Sequence, residues 1–160
     1  MHTNPYADDL GDRDPYHALG ETPQRIKALV DGWSAAEFER TYAPGKWTAR
    51  QILVHLAQVE LGLSTRARFA LTSESYTAES FDQDVWMALD EPTDARTALD
   101  AYLALRTFNV AMWRRLSRDQ RQRRFAHPEY GELTVDWVAA QMAGHDIHHL
   151  RQFEAIASNR

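Results

Sequence analysis

The chain has 160 residues, 44% of them hydrophobic, with five tryptophans and a formal net charge of −5 at pH 7. That length suits one domain with a substantial core, the apolar share excludes disorder of the whole chain, and the acidic balance argues against a nucleic-acid partner. There is no cysteine, which excludes disulfides, thiolate metal ligands and a protein thiol nucleophile, so any thiol chemistry must arrive with a substrate or cosubstrate.

The first 20 residues are polar and turn-rich, with Pro5, Gly11, Pro15 and Gly20, and are expected to form an N-terminal arm ahead of a single domain over 21–160. They lack a basic stretch followed by an apolar one, and no run in the chain approaches the roughly 20 apolar residues of a membrane span, so a cytoplasmic protein is expected. Thr22-Pro23 reads as an N-cap with proline at the first helical position, and Ile26, Leu29, Val30 and Trp33 supply an apolar stripe. Ser34 with Glu37 forms a capping-box pattern that starts a short helical piece.

A second long helix is marked by Pro44-Gly45 before it and by the capping pair Thr48 and Gln51. Ile52, His55, Val59, Gly62 and Phe69 share one side of it, to about residue 72. The connection 73–92, containing Phe81 to Trp86, is long enough to cross the length of a helix bundle, which permits the helices on either side of it to run parallel. Asp94 opens a third helix to about residue 116, with Phe108, Met112 and Trp113 expected in the core. Residues 117–133 read as irregular, with Ser117 a cap and His127 to Gly131 a turn. The arginines at 114–115 and 118–124 are expected on a solvated face.

Thr134 caps the last helix, to about residue 157. There Val138, Met142, His145, His149, Gln152 and Ile156 follow one another at steps of three and four, a core-facing seam that contains two histidines. Imidazoles at i and i+4 share one helix face, and His55 from another helix can complete a three-histidine site for a divalent ion with open coordination positions. His148 is the competing ligand, but it lies about 100° around the helix from His149, and the seam selects His149. His2, His17 and His127 are expected in the arm and a turn, away from any metal. Glu60 and Asp146 are candidates to orient an imidazole, although surface charge is the simpler expectation. Gln152 can meet a metal-bound water or serve as a buried amide. Trp47 and Trp86 can wall a pocket or close the bundle end.

Two segments resemble the signatures of the DinB-like (DinB/YfiT-like) superfamily. One is Gly45-Lys46-Trp47-Thr48-Ala49-Arg50-Gln51-Ile52-Leu53-Val54-His55-Leu56, and the other is His145-Asp146-Ile147-His148-His149-Leu150-Arg151-Gln152. Phe81 to Trp86 and the approach from Gly131 to Thr134 are similar as well. The resemblance implies an all-α four-helix bundle of up-down-down-up topology with His55, His145 and His149 as metal ligands. It also implies a zinc or nickel ion and a small-molecule substrate. A low-molecular-weight thiol transferred to an electrophile is the first expectation, hydrolysis by metal-bound water the second, and a non-catalytic metal-containing module the third. The amphipathic helices permit a homodimer.

Overall fold

The computed structural model describes residues 3–159, so His2 lies outside the described residues. In chain order they form α1 (Ala7–Leu10), α2 (Pro15–Val30), α3 (Ala35–Phe38), α4 (Ala49–Thr72) and α5 (Gln83–Asp90). There follow α6 (Ala95–Trp113), α7 (Arg118–Arg121), β1 (Arg124–His127), β2 (Gly131–Thr134) and α8 (Val135–Ser158). Side-chain oxygens fix most helix starts by accepting from otherwise orphaned main-chain N–H groups. The capping boxes expected at Ser34 and Thr48 are both present, Ser117 makes another, and Asp94 and Thr134 cap α6 and α8.

Pairings between the long helices give their directions. Arg50 meets Glu91 and Thr93, while Glu60 meets Arg106 and Asn109, so α4 and α6 run parallel. Tyr16 bonds Asp136 and Arg25 bonds Glu154, so α2 and α8 are parallel as well. Arg106 bonds the Leu19 carbonyl and Arg96 the Trp33 carbonyl, so α2 opposes α6. The result is the up-down-down-up bundle. The connection between α4 and α6 therefore returns along the whole bundle, as its length permits.

Several sequence expectations need correction. The first long helix starts at Pro15, capped by Asp14, and not at Thr22-Pro23; the boundary placed at residue 20 falls inside it. Pro23 sits in the helix interior, where it has no N–H to give the Leu19 carbonyl. Arg106 Nη1 supplies that bond instead, at 3.1 Å. The connection 73–92 contains α5, capped by Asp82. The stretch 117–133 holds a β-hairpin, with Phe125 opposite Leu133 and His127 opposite Gly131, onto which Tyr76 and Ala78 add main-chain bonds. Phe69 and Phe108 are half to two-thirds exposed, so neither belongs to the core seams, while Trp113 is buried as expected.

Glu60 and Asp146 are fully buried rather than superficial. Both pair with Arg106, itself 3% exposed, and Asp146 also accepts from the Tyr102 hydroxyl at 3.1 Å. The arginine run is indeed peripheral: Arg124 pairs with exposed Glu132, and Arg123 donates to the Ala70 and Ser73 carbonyls at the end of α4. Arg106→Ala leaves two buried carboxylates without their cation and is expected to cost about 3–5 kcal/mol. Urea unfolding followed by circular dichroism measures this; an unchanged midpoint would show that the network is dispensable.

Candidate metal centre

His55 lies on the second turn of α4, and its ring reaches α8 where His145 and His149 stand one turn apart. His145 Nε2 is 2.9 Å from His55 Nε2 and 3.0 Å from His149 Nε2. The three rings are buried, and one ring nitrogen from each lies within 4.8 Å of the other two. These are the three histidines that the helical spacing selected. Trp47 packs over His55 at 4.9 Å between ring centroids, and the edge of Tyr6 meets His145 at 5.0 Å.

Hydrogen bonds set which nitrogen faces inward. His149 Nδ1–H donates to Gln152 Oε1 at 2.7 Å, which leaves its Nε2 lone pair pointing at the other two rings. Gln152 Nε2 donates in turn to His148 Nε2, whose other nitrogen lies 3.3 Å from Asp9. Gln152 therefore orients a ring, and His148 flanks the site and is not part of it. His145 Nδ1 and Asp146 Oδ1 are both buried without a hydrogen-bond partner and stand 4.0 Å apart. A carboxylate behind a ligating imidazole is the usual second partner at such centres.

Burial holds all three imidazoles below their ordinary pKa, His55 at about 4, His149 at about 3 and His145 well down as well, so they are neutral donors at pH 7. With the His149 lone pair directed inward, one proton on His145 would have to serve both neighbours. A cation shared by three lone pairs satisfies the cluster better. Zinc–nitrogen bonds of about 2.0–2.1 Å place tetrahedral nitrogens about 3.3 Å apart, a few tenths beyond the spacing here. The donor set and its spacing fit a divalent cation.

Two hollows meet at the histidines. One, of about 240 Å³, runs between His55 and His145 past Phe81 to Arg66 and His127. The other, of about 300 Å³, lies beside His149 and is lined by Tyr42, Lys46, Trp47 and Gln152. Tyr6 and Gln83 border both. Trp47 thus walls a hollow, while Trp86 packs on Phe81 farther out. Tyr6 and Arg66 carry no motif that marks them in the sequence, while Gln83 lies within the Phe81 to Trp86 segment. Tyr6 is held by the cradle of Gly144 on α8, where any Cβ would stand 2.4 Å from the Tyr6 carbonyl oxygen.

A sequence model of the DinB superfamily matches residues 18–153. A protein of Oceanobacillus iheyensis, provisionally named a metal-dependent hydrolase, is 31% identical over 136 residues, covering 84% of this chain and 79% of that protein. The solved structure of YfiT from Bacillus subtilis superposes with a TM-score of 0.83 at 26% identity, covering 91% of this chain and 85% of that one. It is described as a probable metal-dependent hydrolase with an unusual four-helix bundle topology. A mycothiol-dependent maleylpyruvate isomerase shares the fold, with a TM-score of 0.71 at 14% identity over 91% of this chain and 62% of that one.

Mass spectrometry of tag-free protein is expected to find about one equivalent of divalent metal, lost in His55→Ala and His149→Ala while helical content persists. Gln152→Leu, which frees the His149 ring, is expected to weaken metal affinity about tenfold or more; unchanged affinity would remove Gln152 from the site. The metal-stripped protein carries its own pH dependence. Unfolded imidazoles take up protons near pH 6.5, whereas His55 and His149 when folded do so only near about 4 and about 3. Stability is therefore expected to be full above about pH 7 and to fall as pH drops toward 4, and a urea midpoint flat across that window would contradict the buried neutral rings.

Proposed function

This chain belongs to the DinB superfamily, and on that premise we propose that it is a metal-dependent enzyme acting on small molecules, with His55, His145 and His149 as ligands. Zinc or nickel is the ion proposed. The reaction proposed first is transfer of a low-molecular-weight thiol to an electrophile. The observation that carries it is the pair of hollows: a two-substrate reaction needs separate room for nucleophile and acceptor on either side of one centre, and hydrolysis needs only one such space.

A divalent cation held by three neutral imidazoles keeps its full charge and lowers the pKa of a thiol or water at an open position. The remaining work falls to the chain's own residues. Gln152 fixes the His149 ring. Trp47, Tyr6 and Phe81 pack against the rings and present aromatic walls to an incoming molecule. Lys46, at the mouth of the polar hollow, offers a cation to a charged cosubstrate. In the transfer the thiol loses its proton to solvent, a sulfur–carbon bond forms, and the electrophile's leaving group departs with its electron pair.

Hydrolysis is the second reading, favoured by the name of the Oceanobacillus relative and by the description of YfiT. Zinc-loaded protein incubated with 1-chloro-2,4-dinitrobenzene and cysteine or glutathione is expected to release chloride faster than the same mixture without protein. The excess rate is expected to disappear in His149→Ala. Metal-dependent ester cleavage with no thiol present, and no thiol-dependent excess, would replace the first reading with the second.

A further inference from the structure

The far end of the hollow beside His55 and His145 is lined with hydrogen-bond donors that the metal reading does not use. Arg66, on α4 three turns past His55, lies half-buried on its wall. Among the described residues it makes one hydrogen bond, from Nη2 to the Glu79 carbonyl, and no ion pair within 4.0 Å. A guanidinium has five N–H donors in a planar fork, so most of this one remains uncommitted. The contrast with the other inner arginines is sharp. Arg50 and Arg106 are both paired with carboxylates and held above the ordinary arginine range, whereas burial pushes Arg66 below it.

His127 is the second donor. It is buried at the end of β1, and its Nδ1 accepts from the Glu129 and Tyr130 main-chain N–H groups at 3.2 and 3.4 Å. That acceptor role fixes the tautomer, so the ring carries its proton on Nε2. Burial and the Arg66 charge hold its pKa below the ordinary value, which keeps it neutral. Glu129, the carboxylate at this end, is exposed; its charge reaches both Arg66 and His127 and offsets part of the lowering that burial imposes on them. Val59, Leu63 and Phe81 give the hollow an apolar side, and Gln83 and Gln141 line it as well. At about 240 Å³ the hollow falls just under the usual ~300–1,000 Å³ of small-molecule sites.

We infer that this hollow takes a small organic carboxylate, its anionic group held by Arg66 and the Nε2–H of His127 and its apolar body laid along Val59, Leu63 and Phe81 toward the histidines. A carboxylate matches the guanidinium fork two-pronged, and charge-assisted bonds of this kind are about twice as strong as neutral ones. The inference rests on the metal-centre reading for where the substrate reacts, but not for how its carboxylate is held. Arg66 and His127 are thus specificity residues for the proposed enzyme and stand clear of its metal ligands.

Benzoate and its neutral isostere benzamide are the probes, titrated by isothermal calorimetry into zinc-loaded and metal-stripped protein. Benzoate is expected to bind at least about tenfold more tightly than benzamide in both forms. Arg66→Gln is expected to abolish the preference while zinc stoichiometry stays at the parent value, and Arg66→Lys to retain part of it. Equal binding of the two probes, no benzoate binding at about 10 mM, or a preference that survives Arg66→Gln would overturn the inference. A benzoate preference seen only with zinc and indifferent to Arg66 would also overturn it, as direct binding to the metal. If Arg66→Gln does not fold, Arg66→Lys and the parent comparison decide. A benzoate preference in a protein that takes up no zinc would leave the inference standing and remove the metal reading.

Discussion

One guanidinium joins all four long helices. Arg106, on α6, donates to the Leu19 carbonyl of α2 and pairs with Glu60 of α4 and Asp146 of α8. Desolvation offsets much of the attraction in such a buried cluster, so its effect on net stability is smaller than its effect on which arrangement is permitted. A single register brings two carboxylates and one carbonyl around a planar fork. Pro23 completes the logic: a proline inside α2 frees the Leu19 carbonyl, and the freed carbonyl is what Arg106 uses. The break in one helix becomes a bond between two.

That register reaches the metal centre through one peptide unit. Asp146 accepts from Arg106 and from Tyr102 with one oxygen and turns the other toward His145 Nδ1. His145 is thus the chain neighbour of a member of the cluster that aligns the helices, while the His149 ring is fixed from outside by Gln152. The rings are neutral because they are buried, with Trp47, Tyr6 and Phe81 packed against them.

Three of the long helices and the grouping of the three histidines were legible because both signals are local. A capping serine, threonine or aspartate with its partner three residues on needs nothing from the rest of the chain, and neither does the step of four between His145 and His149. Asp14-Pro15 and Thr22-Pro23 satisfy the same rule, and only the distant Arg106 explains why a helix runs through Pro23. Glu60 and Asp146 look like surface charge until α6 supplies their counter-ion. The hairpin strands are four residues each, too short for an alternation to announce them. Tyr6 acquires its place only because α8 lacks a side chain at Gly144.

The two kinds of segment divide the labour. Helices locked by Arg106 bring the three imidazoles together. The walls of both hollows come largely from segments outside that lock: the Tyr6 region, the Lys46-Trp47 turn, the Phe81–Gln83 stretch and the hairpin carrying His127. These pack on the bundle without threading through it, so their side chains can change with little effect on helix register. The three imidazoles are thereby tied to the helices of the bundle interior, and much of the surrounding wall to the segments packed across its end. Arg66 links the two kinds of segment, a helix residue whose guanidinium donates to the Glu79 carbonyl and so ties α4 to the connection that follows it.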